Sequence, residues 1–352
     1  MAVGIQPEQR LSEVRYEATR NFAEILQFVD CTLLVSTYQA GKVLAIGSHQ
    51  GQLTLSFLHF DRAMGVAASP TQIAIGSRRQ IHFLHASHAI AGNVEPTGTH
   101  DGCWAMRRSF YTGNVLGHDL AWGTDGLWLT NTLFSCLCTL EDGYNFVPRW
   151  RPSFVTELID QDRCHLNGLA LDQGKPKYVT ALAQTDTPAG WRDRKRDGGC
   201  VIDVQSNEVV ACGLSMPHSP RIHQGKLWVL DSGNGALATI DPGNGAFETI
   251  EKLPGYTRGL AFAGQFAFVG LSKIRETNVF GGLAISEGDE PLRCGIGVVD
   301  LISGKTVSTF QFHSGIDEIF AVDIIAGNRN PALFGLIADK EDEPEVWIVP
   351  PP

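Results

Sequence analysis

The chain lacks the signals that most readily assign a biochemical class. It carries no Walker phosphate loop, no dinucleotide fingerprint, no His-Glu-x-x-His and no Gly-x-Ser-x-Gly. Nucleotide or flavin cofactors, zinc-peptidase chemistry and the serine-hydrolase elbow are therefore not expected. There are 8 cysteines in 352 residues, but no CxxC pair, so neither a disulfide scaffold nor a structural zinc site is expected. Cys136 and Cys138 alternate in phase within an apolar strand and read as packing residues. Basic charge is also scarce. Lys and Arg number 28 against 38 Asp and Glu, and a net charge of −10 argues against nucleic-acid or membrane partners. No apolar run approaches the ~20 residues that span a bilayer. Residues 1–10 lack a signal-peptide core. A cytoplasmic protein is the expectation.

What the chain does have is a repeat. His165-Leu166-Asn167-Gly168-Leu169-Ala170 is one copy of a phrase in which a distinctive, mostly polar residue leads into a short apolar strand. Its degenerate relatives begin at Met64, His118, Ser219, Arg258 and Glu318. A spacing of roughly 40–60 residues signals stacked supersecondary units. Each phrase is followed by further short strands between Gly, Asp, Asn, Ser and Pro turns, such as Leu227–Leu230 and Ala236–Ile240. Four antiparallel strands per repeat describe a β-propeller blade.

The ends fix the blade count. Strands at Thr32–Thr37, Lys42–Ile46 and Leu53–Leu58 lack a first strand before them, and Glu318–Ile325 is a first strand with nothing after it. Joined, they make one composite blade, which closes the ring and removes an open sheet edge. The expected fold is all-β: a six-bladed β-propeller with an N-terminal three-strand plus C-terminal one-strand blade. Seven blades is the alternative, because residues 331–352 could supply more strands. Leu11, Val14, Ala18, Phe22, Ile25, Leu26 and Val29 fall at helical spacing, predicting an amphipathic helix over 11–29. The expected divisions are a helical segment (1–30), the propeller (31–330) and an extension packed on it (331–352). Residues 85–117 and 184–199 read as insertions between third and fourth strands, the usual place for functional loops or covers.

In a propeller the loops leading into first strands and those joining second to third strands share one face. The first set carries His118, His165, Asn167, His218, Arg258, Asp317 and Glu318; the second carries Gln39, Trp191, Arg192, Lys273 and Arg275. His118, His165 and His218 precede three consecutive first strands. With Glu318 they could hold a divalent transition metal, or could instead anchor loops as hydrogen-bonded histidines. His165 or His218 suits a general base, since imidazole titrates near neutrality, with Glu318 orienting it. Arg192, Arg221, Arg258, Lys273 and Arg275 suit carboxylate or phosphate recognition, and equally suit ion pairing with nearby acids. Trp191 reads as a lid residue, either anchoring its loop or stacking on a ligand.

Several phrases go beyond generic blade pieces. Arg163–Ala170, Tyr178–Leu182 with Thr185-Asp186 and Gly190-Trp191-Arg192, Gly213–Arg221, Thr257–Leu260 and Val269–Glu276 together resemble a bacterial family of conserved hypothetical proteins, sometimes found with tetratricopeptide-repeat partners. That resemblance runs from about residue 34 to 325 and implies a shared ligand or reaction without naming it. The motifs place Asn167, Trp191, Arg192, Arg221, Arg258, Lys273, Arg275, His165 and His218 on the functional face. The expected function is an enzyme or enzyme-like binder of a small polar or peptidic ligand, working by lyase, isomerase or hydrolase chemistry. The alternative is a non-catalytic scaffold for a protein or peptide partner.

Overall fold

A computed structural model describes residues 13–274, 282–288, 290–335 and 349. Six antiparallel sheets form a ring, the six-bladed β-propeller expected from the repeat. Blade 1 is composite. Its innermost strand is Ala321–Ala326, followed outward by Cys31–Thr37, Lys42–His49 and Gln52–His59. The innermost strands of blades 2 to 6 are Val66–Ala68, Gly117–Gly123, Leu166–Asp172, Pro217–His223 and Tyr256–Ala263.

Burial explains this order. Cys31–Thr37 and Phe266–Ser272 are buried along their whole length, because second strands are covered on both faces by neighbouring blades. Outer strands such as Phe247–Lys252 are largely exposed and carry charge. The core is therefore a series of apolar layers between blades. Leu33, Val35, Leu44 and Ile46 of blade 1, for example, share one layer with Phe268, Ile296, Val298 and Phe310 of blade 6.

Both termini reach past the composite blade. Residues Arg15–Ala18 form a strand on the outer edge of blade 6, paired antiparallel with Lys305–Ser314. Pro331–Phe334 pairs in parallel with Gly102–Tyr111 on the outer edge of blade 2. The closing blade is thus flanked by chain from both ends. The single helix expected over 11–29 is corrected here. Leu11 lies outside the described residues, Val14 precedes the strand Arg15–Ala18 and Ala18 ends it, and the helix is only Phe22–Phe28. The apolar spacing was real but served two elements. Phe22, Ile25 and Leu26 wedge the short helix into the layer between blades 6 and 1. Of the tail, 336–348 and 350–352 lie outside the described residues. No described helix is long and apolar enough to cross a membrane.

The two insertions also need correction. Residues 85–117 hold a 3-10 turn, His88–Asn93, and then the outer strand of blade 2, so much of this segment is blade. Residues 184–199 join the second and third strands of blade 4, which places them on the face of the first-strand loops. The matching loop of blade 6, between Ser272 and Cys294, is also long.

The glycines of the repeated phrase keep the axis tight. A Cβ on Gly168 would lie 2.3 Å from Pro220 of blade 5, and one on Gly259 would lie 2.5 Å from the backbone nitrogen of Val322 of blade 1. Side-chain hydroxyls then tie neighbouring blades together at the level above. Thr132 Oγ1 donates to Leu166 O, and Ser272 Oγ donates to Ile319 O. This crowding puts the floor of any axial cavity at the start of the first strands.

Candidate functional site

Strand pairing sets which residues face the axis. Gly117, Leu166 and Pro217 pair with Asn131, Ala181 and Asp231 at corresponding places in blades 3, 4 and 5, and Thr257 pairs with Leu271 in blade 6. The next residues, His118, Asn167, His218 and Arg258, form one tier. Two residues earlier in each chain segment stand Leu116, His165, Met216 and Tyr256, an upper tier. The three histidines therefore do not occupy equivalent positions. His165 comes from the tier above His118 and His218, and its φ of 51° turns the chain there.

The two tiers enclose a cavity of about 410 Å3 over the channel. His118, His165, His218, Arg258, Lys273 and Glu318 line it, together with Gln39, Trp191 and Arg192. Asp317 lines it too, so ten of the residues expected on this face are brought together. Tyr38, Met64, Leu116, Met216, Tyr256, Ile274 and Phe320 supply apolar and aromatic wall.

Each histidine is tied through Nδ1. His118 Nδ1 lies 3.0 Å from Leu116 O, and His218 Nδ1 lies 2.8 Å from Met216 O. A carbonyl can only accept, so both Nδ1 atoms carry hydrogen and both Nε2 atoms keep a lone pair. His165 Nδ1 is 2.9 Å from the carboxylate of Asp162. Burial holds the His118 and His218 imidazoles well below the usual histidine range, and the charge of Arg258 adds to the effect on both. The rings of His118 and His165 meet edge to face at 4.8 Å, and those of His118 and His218 lie 6.5 Å apart.

Asp162 is the joint between site and lid. Its carboxylate accepts from His165 and from Trp191 Nε1, at 3.0 Å. Trp191 is 3% exposed, and its ring lies 4.4 Å from that of His165. It therefore anchors its loop and also forms cavity wall, which unites the two readings of it. Arg163 fixes the base of the loop through Asp186, at 2.7 Å.

Arg258 is buried at 8% exposure and sits over Phe320, its Cζ 3.5 Å from the ring centroid. Among the described residues its one hydrogen bond is a long contact to Glu318 Oε1 at 3.5 Å. Burial lowers its pKa, and Glu318 counters this only in part. Five N–H donors with one weak acceptor leave this guanidinium far from satisfied.

Two expected ligand residues are placed elsewhere. Arg221 lies below the cavity, paired with both oxygens of Asp119 at 2.9 and 3.2 Å and bonded to Leu169 O at 3.0 Å. It ties blades 3, 4 and 5 and does not line the cavity. Asn167 is buried, its Oδ1 accepting from Thr180 at 2.6 Å. Arg275 lies outside the described residues. The metal reading of His118, His165, His218 and Glu318 also needs correction. Among the described residues no group of three or more His, Cys, Asp or Glu could hold a metal ion. The three rings come from two tiers and do not converge on one point. Sequence reading passed over Asp162 and Tyr256. Both had a signal: Asp162 precedes His165 by three residues, and Tyr256 precedes Arg258 as Met216 precedes His218.

Fold and site together define a six-bladed propeller with a polar, aromatic-walled cavity over a closed channel. The chain belongs to a family defined by a domain of unknown function (DUF4915), whose model matches residues 20–334. No curated protein matches it. Among solved structures, a chain of a nidogen/laminin complex is similar, with a TM-score of 0.53 at 14% identity, covering 84% of this chain and 99% of that one. A protein of unknown function from Bacteroides caccae matches with a TM-score of 0.49 at 12% identity, covering 84% and 99% of the two chains. TolB from Acinetobacter baumannii gives a TM-score of 0.49 at 13% identity, covering 86% and 67%. At such identities the likeness is one of fold alone.

Proposed function

We propose that the protein binds a small organic anion in the cavity over the channel and moves a proton on it. The observation that carries this reading is Arg258: a buried cation in the cavity wall whose hydrogen bonding among the described residues is one long contact to Glu318. Burying a guanidinium with so few acceptors is costly, and an anionic ligand supplies the missing ones. His165 is the base. Asp162 holds its Nδ1 hydrogen, which leaves Nε2 to take a proton from the ligand. The arrangement needs no organic cofactor and suits the proton transfers of lyases and isomerases. A peptide or protein presenting a carboxylate to the same cavity is the competing occupant.

Saturation-transfer NMR tests the anion anchor. Small carboxylates should give signals that their amides do not, and Arg258→Gln should weaken binding roughly 10- to 150-fold, the value of a charge-assisted hydrogen bond. Equal binding to wild type and variant, or no binding of any carboxylate, overturns the reading. For the base, a bound carboxylate incubated in D2O should take up deuterium beside its carboxyl group with wild type. His165→Gln should bind the same compound and exchange nothing; undiminished exchange removes His165 from that role.

A further inference from the structure

Arg258 accounts for an anionic group, but not for the rest of the ligand. Beside it stand His118 and His218, both carrying hydrogen on Nδ1 and both lining the cavity. Their Nδ1 edges face Leu116 O and Met216 O, so their opposite edges are the ones offered to a ligand. Each offers a lone pair and no hydrogen. A simple carboxylate on Arg258 would set its own oxygens against these lone pairs. The pairing of one cationic donor group with two neutral acceptors asks for a molecule that has hydrogen-bond donors next to its carboxylate.

Two kinds of donor would fit by hydrogen bonding, a hydroxyl or an ammonium, and electrostatics separates them. Arg258 lines the same cavity as both imidazoles, so its cationic charge faces any group seated between them and disfavours a proton on either ring. The same field acts on an ammonium group placed at their Nε2 atoms, while a hydroxyl feels it only as a dipole. We propose that the ligand of this cavity is a hydroxy-carboxylate with hydroxyls on the carbons next to its carboxyl group. The carboxylate sits on Arg258, and the hydroxyls donate to His118 and His218. Trp191, Met64 and Phe320 enclose the carbon chain. This assignment rests on Arg258 as the anion anchor.

Glycerate, propionate and alanine test it, since they share a three-carbon carboxylate and differ in their donors. Titrations followed by ligand NMR should show glycerate binding at least about 10-fold tighter than propionate, with alanine weaker than glycerate. In His118→Phe and His218→Phe, each checked for a native melt, the preference for glycerate over propionate should shrink toward unity while propionate binding persists. Glycerate and propionate of equal affinity in wild type, both sensitive to Arg258→Gln, would overturn the hydroxyl assignment and leave the anion anchor standing. Alanine binding tighter than glycerate would replace the hydroxyl by an ammonium. Failure of all three compounds to bind, or binding unchanged by Arg258→Gln, would overturn the anchor and this assignment with it.

Discussion

Two arginines on consecutive innermost strands, Arg221 in blade 5 and Arg258 in blade 6, have opposite surroundings. Arg221 meets both oxygens of Asp119 and two backbone carbonyls; burial acts to lower its pKa, but the charge and hydrogen bonds of Asp119, with the charge of Asp323, together raise it. Arg258 meets one oxygen at 3.5 Å and a phenyl face, and burial lowers its pKa. Both are basic residues in an acidic chain, and both lie on an innermost strand. What separates them is whether the fold supplies the acceptors. Where it does, the arginine holds blades together; where it does not, the acceptors must come from outside. Two residues before Arg258, Tyr256 forms wall; two before Arg221, Ser219 spends its hydroxyl on Gly259 N of the next blade.

The largest expected effect tests the structural member of the pair. Arg221→Met leaves Asp119, 5% exposed, between three blades without its cation, held among the described residues only by Leu120 N and Leu169 N. Removing one partner of such a pair costs about 3–5 kcal/mol. Urea unfolding should show that loss. A change below about 1 kcal/mol would mean that the two arginines are not different in kind. Arg258→Gln, read in the same way, should stay within about 1 kcal/mol of wild type, because it removes a buried cation with one poor hydrogen bond.

Acid stability separates the pair by a second route. His118 and His218 have lowered pKa values in the fold, so below pH 6.5 the unfolded chain binds protons that the folded chain refuses. Stability from this source is therefore full above about pH 6.5 and falls as pH drops. Each imidazole loses ~1.4 kcal/mol per pH unit until its folded pKa is reached. Arg258→Gln removes one cause of the shift at both rings, so its acid limb should level off at a higher pH and lose less stability in total. Arg221→Met should leave that end point unchanged, since Arg221 acts on neither ring. Limbs of equal depth in wild type and Arg258→Gln would break the link between Arg258 and the histidines.

Asp323, on the closing strand of the ring, works in the other direction. Burial raises its carboxyl to about 6, although it accepts from Ala68 N across the blade boundary at 2.7 Å. A raised carboxyl pKa means that the folded chain holds the proton more tightly. Stability then falls as pH rises from about 4 to 6 and is flat beyond, by up to ~3 kcal/mol. The trend opposes that of the histidines in the same window, so it is read as a difference. Relative to wild type, Asp323→Asn should gain stability between pH 4 and 6. No gain would mean that Ala68 N already offsets the burial.

The fold could be read from the sequence because propeller blades repeat, and six spaced phrases overdetermine a ring. Closure was readable for the same reason, from a missing first strand at one end and a spare one at the other. The N-terminal segment was harder, since apolar residues at helical spacing served a strand at Arg15–Ala18 and a helix at Phe22–Phe28. The site was readable as a face but not as a set of roles. Arg221 and Arg258 look alike in one dimension, because what distinguishes them is Asp119, 102 residues from Arg221 in sequence. His118 and His165 look equivalent as phrase leaders, yet a two-residue register difference puts them in separate tiers. Chain order sorts residues by loop, while acceptors and tiers are properties of the closed ring.

The smallest expected effect concerns the lid. Trp191→Phe keeps an aromatic ring near His165 but removes the N–H that Asp162 accepts. The loop retains its Arg163–Asp186 anchor, so the stability cost should be only about 1 kcal/mol, that of one hydrogen bond. Its informative consequence lies at His165. Asp162 then holds the imidazole without tying it to the lid. The rate of solvent-deuterium exchange should therefore change several-fold in Trp191→Phe while ligand affinity holds within a few-fold. Arg192→Gln, which keeps the indole N–H bond to Asp162, should not change it. A rate that stays fixed in Trp191→Phe would make Asp162 an anchor for the lid alone, and the aromatic wall, not its N–H, the contribution of Trp191.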